Sequence, residues 1–420
     1  MKIPHISIRK ILKFWRPVII LAILSALISL LCLFPAACDW YTDRIYMILG
    51  SGLSRVTALL PFSLGELVEL LRIPFLILCG VLLVLLIILR KKPKGSAVCK
   101  GSLKAAAVTV CCYQMLTLLF SIIPECGNVL GQNPEGKRTA YGLKELTALY
   151  SYLLSGQYTA AADIEIAPDG TVPFPDIDGL QPQIAEAMRS YADAYPRLAG
   201  YYPPVRAAFF SEDMHLLDIG GIAFSNTQDA VYNKYLYPTE APATVAHELA
   251  HLKGFIKENE ANFISELALS QSENPYLRFS AFSKMLHYVA PEYGELYSQT
   301  VTELKESGVL PPIDHNSGHA MEDMLERQHI MDALYGKVPI YDEERIQQIN
   351  DAAAGVFHEV YDADPHPIDE QIAENPEKLT EVIENAKQHW EEYDEQHKEN
   401  YYDGVVLLLL QYHHENGECK

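Results

Sequence analysis

Residues 243–270 read ATVAHELAHLKGFIKENEANFISELALS, and the fold and chemistry of the chain are decided there. His247, Glu248 and His251 stand in the order H-E-x-x-H. Helical positions four apart share a face, so the two imidazoles lie one turn apart and can grip a single metal ion. Glu248, beside the first histidine, then reaches a metal-bound water as general base, the geometry of a zinc-dependent peptidase. Ala243, Thr244, Val245, Ala246, Leu249, Ala250 and Leu252 make the helix apolar on most sides. The histidines are therefore buried and need partners, which a solvated helix carrying the pattern by accident would not require. Gly254, three residues after His251, supplies the left-handed conformation on which a helix ends.

A zinc hydrolase site takes three protein ligands and leaves the fourth position to water. The helix expected after Gly254 opens with Glu258-Asn259-Glu260-Ala261-Asn262, which offers two carboxylates. Glu258 and Asn262 are four apart and share a face, so Asn262 can steady Glu258 or a ligand histidine from behind. Glu260 points about 160° around the helix from Glu258, where a solvated or capping residue fits better. Glu258 is the preferred third ligand and Glu260 the alternative.

The run His247-Glu248-Leu249-Ala250-His251, Gly254-Phe255 and Glu258-Asn259-Glu260-Ala261-Asn262-Phe263 resembles the signature of bacterial domain-of-unknown-function family 3810, whose members are membrane proteins with a predicted zincin-type domain. More loosely it is similar to the Glu-zincins, which pair the H-E-x-x-H helix with a later helix reading E-x-x-A-D or E-x-x-A-N. The resemblance implies His247, His251 and Glu258 as ligands of one Zn2+ and Glu248 as base. Asn262 stands where many relatives place Asp, and a neutral amide raises ligand basicity less than a carboxylate. The resemblance extends faintly from the hydrophobic segments to the run Tyr401–Val406, and it implies no substrate.

Composition divides the chain in two. Residues 1–124 hold 14 Lys+Arg and 4 Asp+Glu, a net of +10, so of the 33 basic and 54 acidic residues in all, 19 and 50 remain beyond them, a net of −31. So acidic a portion lacks the basic stripe that nucleic-acid binding needs. Most of the eight cysteines lie in or beside hydrophobic segments as small apolar residues, and no disulfide framework or cysteine zinc site follows from them.

Three stretches, about 17–38, 73–89 and 105–124, carry no charge over the length a helix needs to cross a bilayer, the second at the short end. Lys2, Arg9, Lys10, Lys13 and Arg16 precede the first, and Arg90, Lys91, Lys92, Lys94, Lys100 and Lys104 lie between the second and third. Basic flanks stay cytoplasmic, which sends residues 125–420 to the extracytoplasmic side as one zincin-like domain. Between the first two spans, Ile45, Ile48, Leu49, Leu53, Val56 and Leu59 recur at helical spacing, as in a helix lying on the membrane or in a small core under the soluble domain.

The soluble part reads as mainly α with a small β-sheet, an α+β domain. Glu125–Tyr141 has the composition of a linker, Leu143–Leu154 and Pro182–Tyr195 that of helices. Ala207–Phe210, Gly221–Ser225 and Val231–Tyr237 are strand-like. One of the first two is expected as the edge strand that pairs with an extended peptide, or as simple support for the metal helix. Beyond Ser270 the chain reads as helical. Asp314–His319 fits a capping loop better than a second metal site, Ala363–Asn400 reads as acidic surface helices, and Val405–Leu410 is too short to span a membrane and reads as a core helix behind the site. His413 and His414 are expected in solvent, and Tyr402 is a candidate oxyanion donor or a packing residue.

The expected function is a membrane-anchored zinc metallopeptidase acting on a peptide or protein substrate. The rival is a membrane receptor or scaffold that uses the same zinc-binding domain without turnover.

Overall fold

The computed structural model describes residues 8–130, 141–313, 319–363, 384 and 402–416. It is mostly helical with one three-stranded sheet. Three helices are long and apolar enough to cross a membrane, which marks a membrane protein.

The first of these spans Ile8–Ile28 and continues as a 3₁₀ turn to Leu33. It stops short of the expected Cys38 because Phe34 precedes a proline and is driven to extended backbone, φ −131° and ψ 91°. Pro35 then starts a new helical stretch in which Cys38 is buried. The second membrane helix spans Leu64–Ile88. It begins nine residues before Ile73 because the Ser63 hydroxyl caps it, accepting from the Glu66 amide at 3.2 Å. The charged turn Glu66, Glu69, Arg72 thus belongs to the same helix as the apolar run. The third starts at Pro93 and runs, through a π turn at Leu118–Ile122, to Glu125.

The juxtamembrane helix Met47–Thr57 and the helical turns before it form the small core of the second sequence reading. Cys38, Tyr41 and Tyr46 pack against Leu118, Phe120 and Ile123 of the third membrane helix, a small core beneath the soluble domain. Ile48, Val56 and Leu59 are exposed on the other side.

In the soluble part, the H-E-x-x-H helix Ala241–Leu252 and the Glu258 helix, Glu258–Ser270, form the centre of the core. Ile177–Arg189 and Pro275–Glu306 pack directly on them, and Leu143–Asp163 packs on Pro275–Glu306. The apolar run near the C-terminus forms the helix Tyr402–Asn416, whose Val405, Val406 and Leu409 are fully buried. Its Gly404 lies against Asn259, where a Cβ would stand 2.4 Å from the amide nitrogen, so this helix packs behind the Glu258 helix as the apolar pattern suggested. His413 is buried against the Tyr152 ring, 4.4 Å between centroids, and not solvated, because the amphipathic face of its helix turns it inward. The Tyr402 and His414 side chains, residues 314–318 and most of Ala363–Asn400 lie outside the described residues. His319 sits at the N-terminus of the helix Ala320–Tyr335, exposed and 3.0 Å from Glu322.

The sheet has the order β1-β3-β2, with β1 Arg206–Ala207, β2 Gly221–Phe224 and β3 Asp229–Tyr232. β1 is parallel to β3 and β2 antiparallel to it, with Gly221 opposite Tyr232 and Phe224 opposite Asp229. β1 is shorter than expected because the amides of Phe209 and Phe210 turn away to donate to Glu66 Oε1, at 2.8 and 3.4 Å. β3 begins on buried Asp229, whose Oδ2 accepts from the Ser63 hydroxyl at 2.7 Å and the Gly65 amide at 3.3 Å. The sheet is therefore fastened directly to the N-terminus of the second membrane helix.

Candidate metal centre

Two consecutive helices and the turn between them build the site. The first ends at Leu252, and Gly254 follows at φ +85°. The Gly254 amide donates to His251 O at 2.9 Å and the Phe255 amide to Ala250 O at 3.2 Å, the paired bonds of a Schellman turn. A side chain at 254 would be strained by that φ and would also meet Thr42 at 2.5 Å. The turn folds the chain back so that Glu258, the first residue of the next helix, faces His247 and His251.

His247 Nε2 lies 3.0 Å from Glu258 Oε2, and His251 Nε2 lies 3.4 Å from Glu258 Oε1. Each residue offers one ligand atom, and these atoms all lie within 4.8 Å of one another. Ligands at 2.0–2.2 Å from a tetrahedral zinc are about 3.4 Å apart, so the spacing fits one ion. The two imidazoles stand nearly perpendicular, 85° between planes, as two ligands approaching from different corners do.

His251 Nδ1 lies 2.8 Å from Phe255 O. A carbonyl only accepts, so Nδ1 carries the proton and Nε2 of the neutral ring presents its lone pair to the site. The Gly254-Phe255 turn thus sets the tautomer of His251. Without a cation, His251 must be doubly protonated to donate to Glu258 as well. Burial pushes its pKa down, but the Glu258 carboxylate outweighs burial and raises it to about 9. Burial likewise pushes Glu258 up, and the two imidazoles, His251 foremost, pull it far below the ordinary carboxylate range.

Glu248 is buried on the same helix. Burial raises its pKa, opposed by His247 and His251 and aided by Glu258, so its carboxylate is a better proton acceptor than a solvated one. Gly221, the first residue of β2, lies against it: a Cβ there would stand 2.6 Å from both Glu248 Cγ and Oε1. Glycine at 221 is what lets the strand approach Glu248.

Glu260 is not solvated. It is 3% exposed and its Oε1 lies 3.4 Å from Lys257 Nζ, on the far side of the helix from the histidines. Its buried position follows from the same rotation that takes it off the metal face. Asn262 lies half-buried one turn after Glu258, and no hydrogen bond joins its side chain to Glu258 or the histidines. The buried Nδ1 of His247 has no hydrogen-bond partner among the described residues.

Two groups that support the site were not identified from sequence. Tyr46 is fully buried and donates its hydroxyl to Leu252 O at 3.1 Å, at the end of the H-E-x-x-H helix. Arg197, 1% exposed, donates to Asp43 Oδ1 at 2.9 Å, Asp39 Oδ1 at 3.3 Å and Gly254 O at 3.3 Å, with its guanidinium 5.0 Å from the centre of the Phe255 ring. Asp39 and Asp43 come from the juxtamembrane segment. Arg197 therefore ties that segment to the turn that orients His251.

Fold and site together define a membrane protein whose helical domain, with its small sheet, holds a His-Glu-His cluster beside a buried carboxylate. The family model described as protein of unknown function (DUF3810) matches residues 41–342, and the chain belongs to that family. The match contains the whole cluster, Arg197 and Tyr46, while the first membrane helix and the run Tyr401–Val406 lie outside it. No curated protein and no solved structure matches the chain.

Proposed function

We propose that the protein is a membrane-anchored zinc-dependent metallopeptidase, with its soluble domain on the extracytoplasmic side. The observation that carries this reading is the convergence of His247 Nε2, His251 Nε2 and the Glu258 carboxylate on one point, with the buried Glu248 carboxylate on the same helix. These three side chains would hold Zn2+. Held there, the ion would supply Lewis-acid chemistry: polarisation of a scissile carbonyl and a water acidic near neutral pH. Glu248 accepts the proton from the attacking water and passes it to the departing amine. β2, whose first residue touches Glu248, is the strand against which a peptide would extend.

The test uses the full chain purified in detergent. Metal analysis is expected to find one zinc per chain, and a peptide library to be cleaved. Glu248→Gln is expected to keep zinc and lower turnover by about 10² or more, the scale of a lost general base. A chain without zinc would sink the assignment, and zinc without turnover on any peptide would move the reading to a zinc-stabilised receptor. Sidedness is read from single cysteines introduced at exposed positions in an otherwise cysteine-free chain. Phe209→Cys is expected to react with an impermeant maleimide only from outside the cell and Lys94→Cys only from the cytoplasm; the reverse pattern inverts the topology.

A further inference from the structure

β2 runs between two landmarks. At its start, Gly221 lies against Glu248. At its end, the Phe224 ring lies on Gly65, the second residue of the second membrane helix, where a Cβ would be 2.0 Å from Phe224 Cγ. The turn that follows is pinned to the third membrane helix and to the juxtamembrane segment: Asn226 Nδ2 donates to Thr117 Oγ1 at 3.1 Å, and Gln228 Nε2 to the Tyr46 hydroxyl at 3.1 Å. One end of the strand is thus at the metal centre and the other at the mouth of the membrane helices. β3 occupies one edge of β2, and among the described residues no strand pairs with the other. Its four residues are all half-exposed.

From this placement we infer that the substrate is a membrane-tethered polypeptide, held in extended form along β2 and cut close to its own membrane anchor. The inference rests on the peptidase reading and specifies its substrate. An extended chain pairing with the free edge of β2 has one direction that leads to the metal and one that leads to the bilayer. The distances fix where the cut falls. Gly65 is eight residues above Ile73, where the uncharged run begins, which is about 12 Å along the helix. Phe224 to Gly221 adds at most about 10 Å at the rise of a strand. A substrate leaving the hydrocarbon in extended form needs about four residues to draw level with Phe224 and about three more to reach Glu248, at about 3.3 Å each. The scissile bond is therefore expected within about five to ten residues of the last membrane-embedded residue. The juxtamembrane helix exposes Ile48 and Val56, and the turn after it Leu59, an apolar surface that would hold the site at this height by resting in the interface.

The experiment reconstitutes the full chain in liposomes with synthetic single-span peptides. Each carries an apolar helix followed by a 16-residue segment of mixed composition, joined directly or through a Gly-Ser spacer of four or eight residues. The same 16-residue segments are supplied as free peptides. Products are mapped by mass spectrometry, with Glu248→Gln as the blank. The expected result is a cut at a constant distance from the helix, moving out of the segment and into the spacer as the spacer lengthens. Tethered peptides should also be cut at least tenfold faster than free ones at equal bulk concentration. A cut that follows the segment and ignores the spacer overturns the inference, as does cleavage of the free segments alone; both leave the peptidase reading standing. No cleavage of any peptide by a zinc-loaded chain removes the peptidase reading and this inference with it.

Discussion

Replacing Arg197 by methionine removes one buried cation from three partners without leaving a large void. Asp43 Oδ1 at 2.9 Å and Asp39 Oδ1 at 3.3 Å then lose their counter-charge, and Gly254 O loses a donor. At a charge separation near 4 Å and an effective dielectric of about 20, each ion pair is worth about 4 kcal/mol before desolvation is subtracted. Removing one partner of a buried pair costs about 3–5 kcal/mol, because the other charge stays behind. Both aspartate side chains keep about a fifth of their surface in water, 22% and 23%, which puts the expected loss at the lower end, about 3 kcal/mol. The change also frees the turn that carries Phe255 O, the acceptor of His251 Nδ1, and loosening such an outer contact lowers zinc affinity by about 10–100-fold. Denaturant titration of the full chain in detergent measures the first effect and zinc competition with a chromogenic chelator the second. Adding Asp39→Asn and Asp43→Asn to Arg197→Met should recover much of the stability, since no bare charge remains, yet leave zinc affinity low. Wild-type zinc affinity in Arg197→Met would refute the link from the juxtamembrane segment to the ligand histidine.

Further outcomes follow from the same geometry. Glu258→Gln is expected to release zinc during dialysis that the wild type withstands, whereas Glu260→Gln is expected to retain it; because Glu260 is buried beside Lys257, that variant should instead show a stability change, and loss of zinc from it would move the third ligand. Gly221→Ala drives a Cβ into Glu248, so turnover should fall more than tenfold with zinc unchanged, at about 1–3 kcal/mol of stability; full activity would separate β2 from the base. Burial holds the fully buried Glu266 carboxyl well above its ordinary value of 4.5, against the pull of Lys284 and Tyr288. Above pH 4.5 the unfolded chain releases a proton that the folded chain retains, so stability falls as pH rises, by up to about 1.4 kcal/mol per unit. Urea melts from pH 5 to 8 should show that slope in the wild type and a flatter one in Glu266→Gln; equal slopes would mean that another group sets it.

The His-Glu-His cluster was legible because its geometry is local. His247, Glu248 and His251 share little more than one helical turn, Gly254 announces the stop, and Glu258 opens the next helix, so spacing alone brings them together. The three apolar helices were legible for the same reason, although Phe34-Pro35 and the Ser63 cap moved their ends. Arg197 was not, because it reads as an ordinary surface cation until residues more than 150 positions earlier fold against it. Glu260 and His413 were misplaced in solvent on the general tendency of charged and polar side chains, which packing between helices overrode. All three strands lie where their sequences suggested, but β1 stops early because Glu66, on a distant helix, captures the amides of Phe209 and Phe210, and β3 stops at Tyr232, well short of Tyr237, because Asn233 Oδ1 turns the chain by accepting from the Tyr235 amide.

Asp39 also accepts from the Asn128 amide at 3.0 Å, and Lys257 Nζ donates to Gly127 O at 2.9 Å, so the chain just past the third membrane helix is sewn into the same junction as Arg197. The sequence boundary near residue 124 is therefore no seam in the molecule. Excising the acidic portion at that point would uncover Leu252 O, Gly254 O and the Arg197 guanidinium to water at the end of the very helix that carries both histidines. Loops as long as those joining residues 39–46 to 197–254 carry a closure entropy that rises only by about 0.6 kcal/mol per doubling of length. The junction can consequently form late in synthesis at little extra cost, and the His-Glu-His cluster gains its final rigidity only in a chain whose anchors are already in place.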